Sequence, residues 1–202
     1  MPIFLAGEKL VYFAHVPKCG GTSVEGSIQR CGVRIAMKDA QFWSRPNKWY
    51  KTSPQHIQLK HLKKIFPDDF FHISFAVVRN PASRFLSAFN HAQIAGRIAI
   101  DEEPLNFARK LKKQKDYLAK EHDNHFVPSC HIVPQDAKVF RLEEGMDSLR
   151  AWLTTTFPGQ FSGIKFQHNN KKPYIQNASE TPELLKILRD IYKEDYEAYY
   201  KI

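Results

Sequence analysis

The stretch Leu10 to Ile28, LVYFAHVPKCGGTSVEGSI, constrains this chain more than any other. It opens with an apolar, β-branched and aromatic run to Val16, the pattern of a strand buried on both faces. Pro17-Lys18-Cys19-Gly20-Gly21 breaks that strand, and Thr22 or Ser23 can cap a helix running to about Cys31. Strand, glycine-rich turn and helix start together can hold an anion. Glycines let the backbone approach closely, successive N–H groups point into the turn, and the helix dipole adds positive charge. Lys18 contributes a mobile ammonium, and Thr22 and Ser23 contribute hydroxyl donors. The order is not that of GxxxxGK[ST]: Lys18 precedes the glycines, and no GK[ST] occurs in the chain. That weighs against an ordinary nucleoside triphosphatase. The bland alternative is a tight turn that needs glycine only for its backbone angles.

A second unit follows the same plan. Phe70 to Val78, FFHISFAVV, reads as a buried strand, and Arg79-Asn80-Pro81 starts a helix with Asn80 as cap and Pro81 at its first position. Asn80, Arg84, Ser87 and His91 fall on one polar stripe of that helix, opposite Phe85, Leu86, Phe89 and Ala92. Arg79 and Ser87 are therefore placed to clamp an anion from two sides, with the planar Arg fork suited to phosphate. A surface ion pair is the alternative for Arg79. Two such units predict a three-layer α/β fold of P-loop-like form, a central parallel sheet flanked by helices, with ligands beyond the carboxyl ends of the strands.

The remaining chain reads as one domain, residues 1–202, without repeat, low-complexity tract or linker. Gly32 to Lys51 is expected to form a loop or short strands. A short helix is expected over Leu59 to Phe66, a basic amphipathic helix over Pro104 to His122, and a third core strand over Ala137 to Leu142. Helices are expected from Met146 to Phe157 and from Pro182 to Tyr200. Thirty Lys and Arg against 21 Asp and Glu give a net charge of +9, which implies an anionic partner. Lys60, Lys63 and Lys64 share one helix surface, and Arg109, Lys110, Lys112, Lys113 and Lys115 another. The aromatics sit mostly in core-like strands rather than among the basic residues, which argues against a nucleic-acid binder. No apolar run approaches a membrane span, and MPIFLAGEKL lacks the features of a signal peptide, so a cytoplasmic protein without an integral membrane segment is expected. Cys19, Cys31 and Cys130 form no CxxC pair, and no ligand spacing supports a zinc site.

HVPKCGGTS at 15–23 resembles the 5′-phosphosulfate loop of sulfotransferases that use 3′-phosphoadenosine 5′-phosphosulfate (PAPS), and FAVVRNPASRFLSAF at 75–89 resembles their 3′-phosphate motif. The carbohydrate sulfotransferases related to heparan 2-O-sulfotransferase and to the chondroitin and dermatan enzymes are the most similar group. Weaker likenesses follow at His125-Phe126-Val127-Pro128, Phe140-Arg141-Leu142-Glu143 and Ile191-Tyr192-Lys193-Glu194-Asp195-Tyr196. Cys19 stands where that loop often has Thr, and the Gln that often follows the Pro is missing at Ser129.

The resemblance implies roles residue by residue. Lys18 would neutralise the bridging oxygen and the departing 5′-phosphate, which the backbone at Cys19, with Gly20, Gly21, Thr22 and Ser23, would hold. Arg79 and Ser87 would hold the 3′-phosphate, with Lys171 and Lys172 as further candidates. His56 or His125 would be the general base, and His15 a packed or hydrogen-bonded scaffold residue. No metal is implied. The product nucleotide would be 3′-phosphoadenosine 5′-phosphate, and the acceptor a free hydroxyl on a glycan or small metabolite. The rival reading is a catalytically inactive nucleotide- or polyanion-binding protein of the same fold.

Overall fold

The computed structural model describes residues 1–44, 46, 50–114, 116–166 and 180–201. Among these, four strands form one sheet in the order β1-β2-β3-β4: Ile3–Ala6, Lys9–Ala14, Ile73–Val78 and Lys138–Arg141. β2, β3 and β4 are parallel, with Phe13 opposite Phe75 and Ala76 opposite Val139. β1 is antiparallel to β2, so the sheet is mixed rather than wholly parallel as expected. The reversal is local: Ala6 pairs with Lys9 around Gly7-Glu8, and Gly7 takes a left-handed φ of 57° that this two-residue turn requires.

The helices are α1 (Gly21–Arg30), α2 (Leu59–Leu62), α3 (Pro81–Ile94), α4 (Pro104–Lys112), α5 (Asp147–Thr156), α6 (Pro182–Ile191) and α7 (Lys193–Tyr200). Helix α3 begins as its residues dictate. Asn80 Oδ1 accepts from the amides of Ala82 and Ser83, and Pro81 occupies the first turn. Three expected helices are shorter. The Leu59 segment is helical only to Leu62, and the basic helix ends at Lys112. The last helix divides at Tyr192, whose buried hydroxyl donates to the Phe126 carbonyl at 2.9 Å. Between Gly32 and Lys51 the described residues hold a short 3₁₀ turn, Phe42–Ser44, and a bridge from Ala36 to Ile3.

Apolar side chains form two clusters. One surrounds the sheet: Phe4, Phe13 and Phe75 meet ring to ring, and Trp152 of α5 covers Phe75. Val24 and Ile28 of α1 and Ile57 join it. The other lies among helices, where Phe85 and Phe89 of α3 meet Phe107 of α4, Leu184 and Leu188 of α6, and Phe126. His56 follows from the first cluster through Ile57, and His125 from the second through Phe126.

The polar stripe expected on α3 is interrupted. Arg84 is fully buried; its guanidinium donates to the carbonyls of His125 and Val127 at 3.0 and 2.9 Å and lies 3.7 Å from Asp195. Asp195 in turn accepts from the amides of Ser129 and Cys130. The 125–130 turn is thus held from both sides, by α3 and by α7.

Candidate active site

The loop between β2 and α1 lies at the carboxyl end of the sheet. Lys18 and Gly20 both take left-handed φ values, 67° and 79°. Gly20, not Thr22 or Ser23, is the N-cap; its carbonyl accepts from the amides of Ser23 and Val24, and no side chain caps the helix. Gly21 meets a different demand. A Cβ there would lie 2.1 Å from Nε2 of His15, so the imidazole rests on the glycine backbone. His15 is buried, stacked on Phe13, with Nδ1 2.5 Å from Oε1 of Glu25. Lys38 holds the other Glu25 oxygen at 2.9 Å. Burial opposes the Glu25 charge, but the His15 hydrogen bond and Lys38 outweigh it and bring its pKa down to about 2. His15 therefore serves as scaffold.

The first amides of α1 have no partner within the helix, and the dipole adds positive charge at that end. Lys18 is half-buried, Thr22 exposed and Ser23 half-buried. Arg79 leaves β3 beside this loop, close enough for its charge to act on the Cys19 thiol. Cys19 itself is buried, with its thiol directed at the Pro17 carbonyl, and burial pushes its pKa up to about 12. It is a packed thiol, not a nucleophile. The donor set of loop amides, Lys18 and Arg79 fits an anionic ester such as phosphate or sulfate. Ser87 is half-buried on α3, roughly 9 Å along the axis from the helix start. Lys171 and Lys172 lie outside the described residues.

Histidines line the next part of the site. The His15, His56, His125 and His91 rings follow one another at centroid distances of 4.8, 5.2 and 5.2 Å. His56 ends a short 3₁₀ turn, Pro54–His56, and its Nδ1 lies 2.9 Å from Oδ2 of Asp123. Ser53 donates its amide to Oδ1 and its hydroxyl to Oδ2 of the same carboxylate. Burial alone would raise the Asp123 pKa; the His56 charge and hydrogen bond, helped by Ser53, hold it well below the usual carboxylate range. His125 is pushed the other way, well below an ordinary imidazole, by burial first and then by the charges of His56, His91 and Lys18. His56 and His125 thus lie ring to ring, and Lys18 is close enough for its charge to act on His125.

The profile of the sulfotransferase family matches residues 1–201. The chain belongs to the sulfotransferase family. No curated protein and no solved structure matches it. Membership assigns this sulfotransferase to enzymes that move sulfuryl groups. Among its described residues no helix is long and apolar enough to cross a membrane.

Sequence reasoning missed Asp123 and Ser53, which orient His56, and Arg84 and Asp195, which hold the His125 turn. Ser53 carried a faint signal, three residues ahead of His56 across a proline. Nothing local to Asp123 marked its partner. His56, Asp123 and His125 are also spaced to coordinate a cation. The three donors that Asp123 already accepts, Ser53 N, Ser53 Oγ and His56 Nδ1, favour a hydrogen-bonded pair there. The basic face of α4 is not a free cationic surface either. Arg109, Lys110 and Lys112 are paired with Glu183, Glu102 and Asp190.

Proposed function

We propose that this protein transfers the sulfuryl group of PAPS to an acceptor hydroxyl, on a P-loop-like fold, with His56 as general base. The observation that carries the reading is the Asp123–His56 pair, set beside His125 in the site that Lys18 shares. Bound PAPS would supply an activated sulfuryl group. The α1 amides and Lys18 would hold its 5′-phosphate, and Arg79 and Ser87 would hold its 3′-phosphate. Asp123 accepts the Nδ1 proton of His56, which leaves the Nε2 lone pair to take a proton. An acceptor oxygen brought up to the sulfuryl group would bond to sulfur as the bond from sulfur to the bridging oxygen breaks, and the nucleotide would leave as 3′-phosphoadenosine 5′-phosphate. Nε2 takes the hydroxyl proton, and Lys18 neutralises the charge left on the departing phosphate. His125, held well below an ordinary imidazole by burial, adds no second cation to the site.

The carbohydrate type of acceptor rests on the resemblance of the His125-Phe126-Val127-Pro128 turn and on no feature of the surface, since α4 spends its cations on its own acidic neighbours. Isothermal titration with 3′-phosphoadenosine 5′-phosphate, AMP and ATP tests the nucleotide. Binding that needs the 3′-phosphate and collapses in Arg79→Ala supports PAPS, and equal affinity for AMP overturns it. Nucleotide binding with no turnover on any hydroxyl acceptor, unchanged by His56→Ala, would instead identify an inactive binder.

A further inference from the structure

Cys130, His131 and Glu194 form a second cluster, where the turn that carries His125 meets α7. Cys130 and His131 belong to a short 3₁₀ turn, Ser129–His131, and Glu194 lies in the first turn of α7. Cys130 Sγ and His131 Nε2 both face Glu194 Oε2, at 3.2 and 3.4 Å. All three ligand atoms lie within 4.8 Å of one another. A tetrahedral zinc with bonds of about 2.3 Å to sulfur and about 2.0–2.2 Å to nitrogen and oxygen holds its ligand atoms roughly 3.4–3.6 Å apart. The two separations to Glu194 Oε2 match within a few tenths of an ångström, and Cys130 Sγ and His131 Nε2 lie within 4.8 Å of each other.

We propose that Cys130, His131 and Glu194 form a binding site for a borderline-soft divalent metal ion, of which Zn²⁺ is the natural occupant. One thiolate, one imidazole and one carboxylate select zinc over magnesium or calcium, which prefer oxygen ligands alone. The backbone beneath is fixed in advance, because Asp195 accepts the amides of Ser129 and Cys130 at 2.8 and 2.9 Å. Approach is open: the His131 and Glu194 side chains are 38% and 70% exposed. The Tyr117 ring stands edge-on to His131 at a centroid distance of 5.8 Å. On binding, the Cys130 thiol releases its proton to solvent and sulfur donates to the metal. Three protein ligands leave a fourth position for water. The ion would staple the 129–131 turn to α7, adding to what Asp195 and Arg84 already do for the turn that presents His125. The site stands apart from the proposed sulfuryl chemistry and would exist without it.

Cobalt titration of the metal-free full chain tests the site, because only a thiolate ligand gives a near-ultraviolet sulfur-to-cobalt charge-transfer band. The band should saturate at one equivalent of Co²⁺ and disappear on adding Zn²⁺. Cys130→Ser should abolish it, while Cys19→Ser, Cys31→Ser and His56→Ala leave it intact. Glu194→Gln, at an exposed position where folding is not at stake, should weaken binding roughly tenfold or more. No band, or a band that survives Cys130→Ser, overturns the proposal. So does binding lost in His56→Ala but kept in Cys130→Ser, which would move the metal to the His56–Asp123–His125 group.

Discussion

Asp123 collects the Ser53 amide, the Ser53 hydroxyl and the His56 Nδ1–H on one buried carboxylate. An amide in its place offers one oxygen and two hydrogens, so one of these donors must face another donor. In the proposed mechanism Asp123→Asn therefore turns His56 to the wrong tautomer, with the proton on Nε2. The expected outcome is a kcat lower by about 10²- to 10⁴-fold, while titration with 3′-phosphoadenosine 5′-phosphate gives nearly the wild-type Kd. A Kd that worsens as much as kcat would show that Asp123 supports the nucleotide loop and not the base. Both Asp123 and its neighbour Asn124 have left-handed φ values, 52° and 61°, which Asp and Asn tolerate better than other side chains. Asn124 repeats the tie, donating to the His56 carbonyl at 2.7 Å and accepting from Gln58 at 2.8 Å. The histidine was visible as a candidate from its resemblance. Its orienting partner was not, because the contact spans 67 residues and depends on how two loops dock.

At the scale of elements, the strand–loop–helix unit separates two glycine requirements that look alike in sequence. Gly20 is needed for its left-handed angle, and a Cβ there would meet Met146 Cε at 3.1 Å and Leu142 Cδ1 at 3.4 Å, the yielding ends of flexible side chains. Gly20→Ala should cost about 1 kcal/mol. Gly21 is needed for space, since its Cβ would drive the His15 ring off Glu25 and leave a buried carboxylate short of a partner. Gly21→Ala should cost about 3 kcal/mol or more. Urea unfolding of both variants checks the order, and equal costs would count against it. Elements whose signals are local were legible: the Pro17–Gly21 break, the Asn80-Pro81 start and the β4 strand all fall where short-range chemistry places them. Those ended by distant contacts were not. Apolar spacing runs on through Tyr192, where the helix divides and the hydroxyl reaches Phe126. Basic residues run on past Lys112, although the helix stops there and Tyr117 and Leu118 turn left-handed. The β1 hairpin was invisible for a third reason, because a strand of four residues shows too little alternation to read.

For the whole molecule, the buried titratable groups set a pH profile in two stages. His15 and His125 are held neutral by burial in the native state, while the unfolded chain binds protons at their ordinary value of about 6.5. Below that pH the unfolded state takes up more protons, so stability falls as pH falls. Glu25 and Asp123 titrate lower in the folded protein than in the unfolded chain. Their contribution is complete above about pH 4 and is lost as pH drops through that value towards 2. Thermal unfolding should give a plateau of Tm above about pH 7, a first decline below about 6.5 and a steeper one below about 4. A Tm unchanged between pH 7 and 5 would remove the histidines from this account.

Ile57, next to His56, packs into the sheet cluster, and Phe126, next to His125, packs into the helical one. The proposed base and its neighbours thus come into register only when both clusters are formed and docked, whereas the anion loop hangs from the sheet alone. Partial loosening of the helical cluster would leave the 5′-phosphate loop in place on the sheet, while proton withdrawal and the Ser87 contact to the 3′-phosphate would be lost. Turnover is in this sense a finer thermometer of native docking than any signal from the sheet, and it should fade first.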